Sequence, residues 1–374
     1  MNTNPSSLGD ISPDEFREAA HTAVEWVANY LENPARHPVR SQVAPGDVKK
    51  SLPESPPQHG ESLAQMMEDF ETKIVPGITH WNNPAFFAYF SITGSYPGII
   101  GELLTAGLNV NGMLWASSPS VTELEEVTLS WLRQLMGLKG DWYGEILDTA
   151  SMSTFYALAA AREAVSLDVR TRGLAGRADL PTLRVYCSEH AHSSIDKAVM
   201  ALGLGHDNCV KITTDSDFRL SPPALRAAIE SDIAAGRRPM AIVATVGTTS
   251  VSSIDPVAAM APIAKEFDCW LHVDGAYGGS AAVVPELRYL LDGTELADSL
   301  VVNPHKWLFT PVDCSVLYIK RPEVLKAAFA LLPEYLITQQ ADSVMNMMDY
   351  GIQLGRRFRS LKLWMVMRAF GAEG

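Results

Sequence analysis

The chain has 374 residues, 47% of them hydrophobic and 20% charged, which is enough apolar mass for a doubly wound core larger than one ordinary domain. A formal net charge of −13 argues against a nucleic-acid partner. No run of about 18 apolar residues is present to span a membrane, and the start, from Met1 to Ser7, lacks the basic-then-apolar pattern of a secretory signal. Cys187, Cys209, Cys269 and Cys314 are scattered in or beside apolar runs, without metal-ligand spacing. They read as reduced, buried thiols of a cytoplasmic protein, and no metal is expected.

In chain order, Ser12 as N-cap, Pro13 in the first turn and Glu15 three residues on start a helix over 12–32, with Ala20, Val24, Val27 and Leu31 on one stripe. Residues 33–60 carry Pro34, Pro38, Pro45, Pro53, Pro56 and Pro57 and no periodicity, so a long loop is expected. Helices follow over 62–74 and 98–108; they are amphipathic and need something to cover them. The stretch between them holds Trp81, Phe86, Phe87, Tyr89 and Phe90, which suits a core cluster or the apolar wall of a pocket. A helix over 122–136 is expected to start on a capping box of Thr122 and Glu125 and to close at Gly137. Small hydroxylated residues at 149–154 then meet an Ala-rich helix. Free N–H groups there make either an ordinary N-cap or an anion site.

Strands are expected over 183–187, 209–213, 239–246, 270–273, 300–302 and 314–320, alternating with helices through 202 and over 221–235, 255–267 and 323–331. A last helix runs to about Phe370. This alternation implies an α/β fold with a mostly parallel sheet and right-handed crossovers.

Two of these strands end in chemistry. Trp270–Val273 runs into Asp274, and Leu300–Val302 runs through Asn303 and Pro304 into His305 and Lys306. A lysine beside a buried strand end is costly unless paired or neutralised, and a carboxylate at such an end faces the ligand crevice of an open α/β sheet. Pyridoxal phosphate enzymes need this pair: a lysine for the aldehyde and an acid beside the ring nitrogen.

Asn303-Pro304-His305-Lys306-Trp307, His272-Val273-Asp274-Gly275-Ala276-Tyr277 and His192-Ser193-Ser194 resemble motifs of the group II pyridoxal-phosphate-dependent decarboxylases, in particular the aromatic-L-amino-acid decarboxylase branch. The likeness runs from about Phe16 to the last residue. It implies a fold-type I α/β architecture: a mostly parallel seven-stranded sheet with helices on both faces. Residues 1–95 would form an N-terminal helical segment packing across a homodimer, and 96–374 the large cofactor domain. The small C-terminal domain of roughly a hundred residues, typical of the family, is expected to be missing.

The resemblance also assigns roles. Lys306 holds pyridoxal 5'-phosphate and Asp274 pairs with its ring nitrogen. Thr149, Ala150, Ser151 and Asn303 hold the phosphate. His192 stacks on the ring, and Ala276, Thr249 and His305 contact the cofactor, with Thr248 the near rival of Thr249. Trp81, Phe90, Ile92 and Trp115 line the substrate pocket. Asn82, Ser91 and Ile92 depart from the family's histidine, proline and threonine, so contacts to the substrate carboxylate are expected to differ. A mobile loop spans 332–350, and Tyr350 is the candidate for its proton-donating tyrosine. The implied reaction is α-decarboxylation of an aromatic L-amino acid to the amine and CO2. The alternatives are an aldehyde synthase, a decarboxylase of a non-aromatic amino acid, or an inactive shortened dimer partner. A dinucleotide site is not indicated, since no GxGxxG follows a strand.

Overall fold

A computed structural model describes residues 10–90, 92–331 and 344–374. The chain divides into two compact units, Met1–Ser91 and Ile92–Gly374.

In the first unit, α1 (Pro13–Glu32) starts on the expected capping box: the Glu15 amide donates to Ser12 Oγ at 3.2 Å and the Ser12 amide to Glu15 Oε2 at 2.9 Å. Trp26 meets Phe70 edge-on at 4.8 Å. No residue of α1 is fully buried, and Val24 of its apolar stripe stays 53% exposed. The expected loop over 33–60 is interrupted by a short helix, α2 (Asp47–Ser51), whose first turn is closed by Asp47 Oδ2 accepting from the Ala44 amide at 2.8 Å. A third helix, α3 (Leu63–Asp69), is capped by Ser62 and continues as a π-turn through Phe70–Ile74.

The second unit begins with α4 (Tyr96–Leu108) and α5 (Pro119–Leu135). The start of α5 corrects the sequence expectation. Ser118 is the N-cap and Pro119 the first helical residue, because proline's fixed φ favours that position. Thr122 and Glu125 lie inside the helix and are buried, so they form no capping box.

Seven strands follow: β1 (Tyr143–Leu147), β2 (Leu183–Ser188), β3 (Cys209–Ile212), β4 (Arg238–Thr245), β5 (Trp270–Gly275), β6 (Ser299–Val302) and β7 (Ser315–Ile319). The strand β1 escaped the sequence reading because Glu145 interrupts its apolar run. Between and after the strands come α6 (Ala150–Ala164), α7 (Val169–Arg172), α8 (Ser194–Ala201), α9 (Pro222–Ala234), α10 (Val257–Glu266), α11 (Pro304–Trp307), α12 (Pro322–Phe329) and α13 (Ser360–Phe370).

The sheet order is β1-β7-β6-β5-β4-β2-β3. Neighbours from β6 to β3 pair in parallel, and β7 runs antiparallel to β1 and β6. Apolar side chains alternate between the faces, as a sheet covered on both sides requires. Ala241 and Val243 join the cluster containing α6, α8 and α12 residues, whereas Ile242 and Ala244 join the cluster containing α5, α9, α10 and α13 residues. This winding sends the residues after β1, β2, β4, β5 and β6 to one edge of the sheet.

A buried ionic cluster ties the chain's last segment to this core. Arg356 donates to the Ile146 carbonyl at 2.8 Å and to Glu125 Oε1 at 3.1 Å, with Glu145 Oε1 at 3.6 Å. Glu125 Oε1 also accepts the Ile146 amide at 2.8 Å. One guanidinium between two buried carboxylates leaves a proton to be held. Burial, opposed by Arg356 and reinforced by Glu125, pushes Glu145 up to about 8.

Two outcomes follow. Arg356→Met strands both carboxylates and is expected to cost about 3–5 kcal/mol in urea denaturation at neutral pH. Glu145 retains its proton in the folded state over a range where the unfolded chain has lost it, so the parent loses stability as pH rises from about 5 to 8. The stability advantage of Glu145→Gln over the parent should widen across that window and flatten above it; a gap independent of pH would contradict the assignment.

Candidate active site

At the edge where the parallel strands end, β5 and β6 set the central pair. Asp274 lies opposite Val301 in the register, and Gly275 opposite Val302. The next residues, Asn303 and the single turn α11, carry Lys306. Asp274 is buried, and its Oδ1 accepts the Ala276 amide at 3.1 Å. Lys306 is half-buried. Burial lowers the pKa of its ammonium below the usual lysine range, and the Asp274 carboxylate partly offsets that. The amine therefore reaches its nucleophilic form at lower pH than an ordinary lysine.

His305 serves the geometry of this turn. Its Nδ1 accepts the Cys314 amide at 2.9 Å, tying the lysine turn to the approach to β7. Burial and then the neighbouring Lys306 hold its imidazole at about 4, so it is neutral at pH 7.

The neighbouring strand ends supply the rest. After β1, Thr149 is the N-cap of α6; its amide and hydroxyl both donate to Asp148 Oδ1, at 2.6 and 3.1 Å. Thr149 and Ser151 are exposed. The Ala150 and Ser151 amides lie in the first turn of α6, where N–H groups have no intrahelical acceptor. After β2, His192 is exposed, and its Nδ1 accepts the Ser194 amide at 3.1 Å, which places the ring proton on Nε2. After β4, the two rival threonines separate. Thr248 is buried, its Oγ1 lying 2.9 Å from Ser253 Oγ and accepting the Ser253 amide at 3.0 Å, whereas Thr249 is exposed. Gly247, at φ +87°, lets this turn approach Gly278: a Cβ there would stand 3.1 Å from the Gly278 amide nitrogen.

The expected pocket residues fall in different places. Trp81 and Phe90 belong to the first unit, where Trp81 packs on Phe86 at 4.7 Å and stacks on Tyr89 at 5.5 Å. Half-buried Ile92 opens the second unit. Trp115 and Tyr350 line one cavity of about 650 Å3 with Glu123, Glu126 and Val127. Trp115 Nε1 donates to Glu123 Oε1 at 2.8 Å, and the Tyr350 ring packs on Tyr143 at 4.7 Å. Neither Lys306 nor Asp274 lines that cavity. Ser91 and residues 332–343 of the expected loop lie outside the described residues. Among the described residues no cluster of His, Cys, Asp or Glu could hold a metal ion.

Residues 45–374 match the pyridoxal-dependent decarboxylase conserved domain. The chain belongs to this family. It is 42% identical to phenylacetaldehyde synthase of Arabidopsis thaliana, over 98% of this chain and 76% of that protein. It is 40% identical to tyrosine decarboxylase of Papaver somniferum, over 98% and 73% respectively. Among solved structures it resembles Oryza sativa TDC with PLP and tryptamine, with a TM-score of 0.93 at 38% identity over 98% of this chain and 76% of that one. Catharanthus roseus tryptophan decarboxylase in complex with L-tryptophan gives 0.90 at 39% identity, over 98% and 77%.

The family's cofactor is pyridoxal phosphate, and the residues of this decarboxylase fit it. A carboxylate and an amine meet at adjacent strand ends. A helix start with exposed hydroxyls stands at the same edge. Asn303 Oδ1 is buried without a hydrogen-bond partner among the described residues, a polar atom that a ligand would satisfy.

Because the Asp274 charge holds up the Lys306 ammonium, Asp274→Asn should let the amine deprotonate at still lower pH. Amine-reactive labelling of the cofactor-free chain, quantified at Lys306 by mass spectrometry across pH, should show the midpoint moving down. An unchanged or rising midpoint would contradict the pairing.

Proposed function

We propose that this decarboxylase removes the α-carboxyl group of an aromatic L-amino acid, releasing the amine and CO2, and that it works as a homodimer in the cytoplasm. The observation that carries the chemistry is Lys306 beside Asp274 at the ends of β6 and β5. The aromatic substrate rests on the relatives, which include tyrosine decarboxylase and tryptophan decarboxylase.

Pyridoxal phosphate, when bound, supplies the electron sink that accepts the electrons left at Cα as CO2 departs. The chain's residues hold and tune it. Lys306 would hold the aldehyde, with its amine already weakened as a base by burial. Asp274 would keep the ring nitrogen protonated. The first turn of α6, with Thr149, Ala150 and Ser151, would hold the phosphate together with Asn303, since a helix start favours an anion. His192 would lie on the ring face, held in orientation by the Ser194 amide, and Ala276, Thr249 and His305 would border the cofactor. Of the residues that the resemblance assigns to the substrate wall, Ile92 and Trp115 belong to the same unit as Lys306.

The proton returned to Cα needs a donor within hydrogen-bond reach. Tyr350 is one candidate. Its ring is set against Tyr143 in a cavity apart from Lys306, so the other tyrosine of the 332–350 segment, Tyr335, is the competing one.

Support for the dimer comes from uncovered apolar faces. Small residues of α4, Gly98 and Gly101, pack on Val366 and Lys362, while Ile100, Leu103, Leu104 and Leu108 stay exposed. In α1, Phe16 and Val24 are exposed as well. Exposed apolar helix faces of this kind mark association sites. The cytoplasmic placement rests on four free cysteines, all buried, and on the absence, among the described residues, of a helix long and apolar enough to cross a membrane.

With pyridoxal phosphate and a panel of aromatic L-amino acids, the chain is expected to release amine and CO2 in equal amounts. Aldehyde with ammonia and peroxide would show the synthase reaction instead. Tyr350→Phe and Tyr335→Phe, assayed side by side, should leave one variant decarboxylating normally and divert the other toward aldehyde; if neither changes the product, no tyrosine of this segment is the donor. A Leu103→Asp, Leu104→Asp double variant should sediment as a monomer where the parent sediments as a dimer.

A further inference from the structure

The pleat of β5 puts Trp270, His272 and Asp274 in one row. Trp270 lies in the apolar cluster that contains α6, whereas Leu271 and Val273 lie in the opposite cluster. His272 is fully buried and pairs across to Ser299 of β6, two residues before the Asp274–Val301 pair. Ser299 Oγ stands 2.8 Å from Trp270 Nε1 and 2.9 Å from His272 Nδ1. The indole N–H can only donate, so Ser299 accepts it and has its own hydrogen left for His272 Nδ1. That assigns the imidazole proton to Nε2. Burial, against the pull of the Asp274 carboxylate, holds this imidazole at about 4, so it is neutral at pH 7. His272 Nε2 is buried and has no hydrogen-bond partner among the described residues.

A buried donor without a partner is unusual in a strand whose other polar atoms are satisfied. The next residue in the row is Asp274, the carboxylate that would pair with the cofactor's ring nitrogen. Donors around a carboxylate fix its orientation, and the Ala276 amide on Oδ1 is one such donor.

We propose that His272 is a positioning residue for Asp274: the Trp270–Ser299–His272 chain fixes the imidazole, and the ring, two residues before Asp274 in the same row of β5, sets the orientation of the carboxylate toward the ring nitrogen of pyridoxal phosphate. The inference rests on the cofactor reading above. It adds Trp270, Ser299 and His272, which reach inward from Asp274 along β5 and β6.

The test compares His272→Gln, whose amide reaches the Nε2 position, with His272→Asn, whose amide reaches only the Nδ1 position. Both keep a polar side chain, and both leave Lys306 and Asp255, which also couple to Asp274, in place. Pyridoxal phosphate is titrated into the cofactor-free chain by absorbance, the pH midpoint of its visible band is recorded, and the thermal midpoint is measured without cofactor. The Asn variant should bind about tenfold more weakly, with the band midpoint moved upward. The Gln variant should stay close to the parent in both. Equal affinities and band midpoints in all three, with only the thermal midpoint changed, would make His272 a packing residue and overturn the proposal, as would a Gln variant no better than Asn. A parent chain that takes up no cofactor would sink the cofactor reading and this inference together; a parent that binds while the variants match it would sink the inference alone.

Discussion

An amine and a carboxylate brought out of water at the ends of two adjacent parallel strands constrain the rest of this structure. Either charge alone would be expensive to bury. Together Asp274 and Lys306 offset each other, and the β5–β6 register sets their spacing without help from a flexible loop. Asn303, Pro304 and the single turn α11 convert the end of β6 into a lysine held by the backbone. His305 secures that turn through the Cys314 amide. The start of α6, the His192 turn and the Thr249 turn belong to the same edge because β1, β2 and β4 run in the same direction as β5 and β6, which delivers their C-terminal ends to one side.

Polar burial recurs at a second place with a different task. Arg356, Glu125 and Glu145 hold the segment that leads into α13 against β1 and α5. A cluster of this kind contributes little net stability when intact and is costly when broken. Its effect is to fix one path for the chain from Tyr350 to Ser360. The site and this cluster thus use charge in the same way, to select one arrangement among several that an apolar core would tolerate.

How much of this the sequence discloses depends on range. The strand ends at Asp274 and Lys306 were legible because an apolar run followed at once by a charge is a local pattern, and so was the capping box at Ser12 and Glu15. The start of α5 was not: Glu125 resembles a capping residue locally, and its partner Arg356 stands 231 residues away. The same distant partner hid β1, since a strand containing Glu145 looks too polar until the guanidinium is known. His272 was read only as a letter of a motif. Its bond to Ser299 requires the β5–β6 register, which no local pattern encodes. The placement of Tyr350 against Tyr143 likewise follows from tertiary packing, not from the spacing of the loop.

The central claim is that Lys306, tuned by Asp274, holds pyridoxal phosphate. The most direct measurement is the visible absorption spectrum of the chain after incubation with the cofactor and desalting, beside a Lys306→Ala variant of the same thermal stability. The account predicts a retained visible band in the parent and none in the variant. A band equally strong in both, or absent from both, would contradict it.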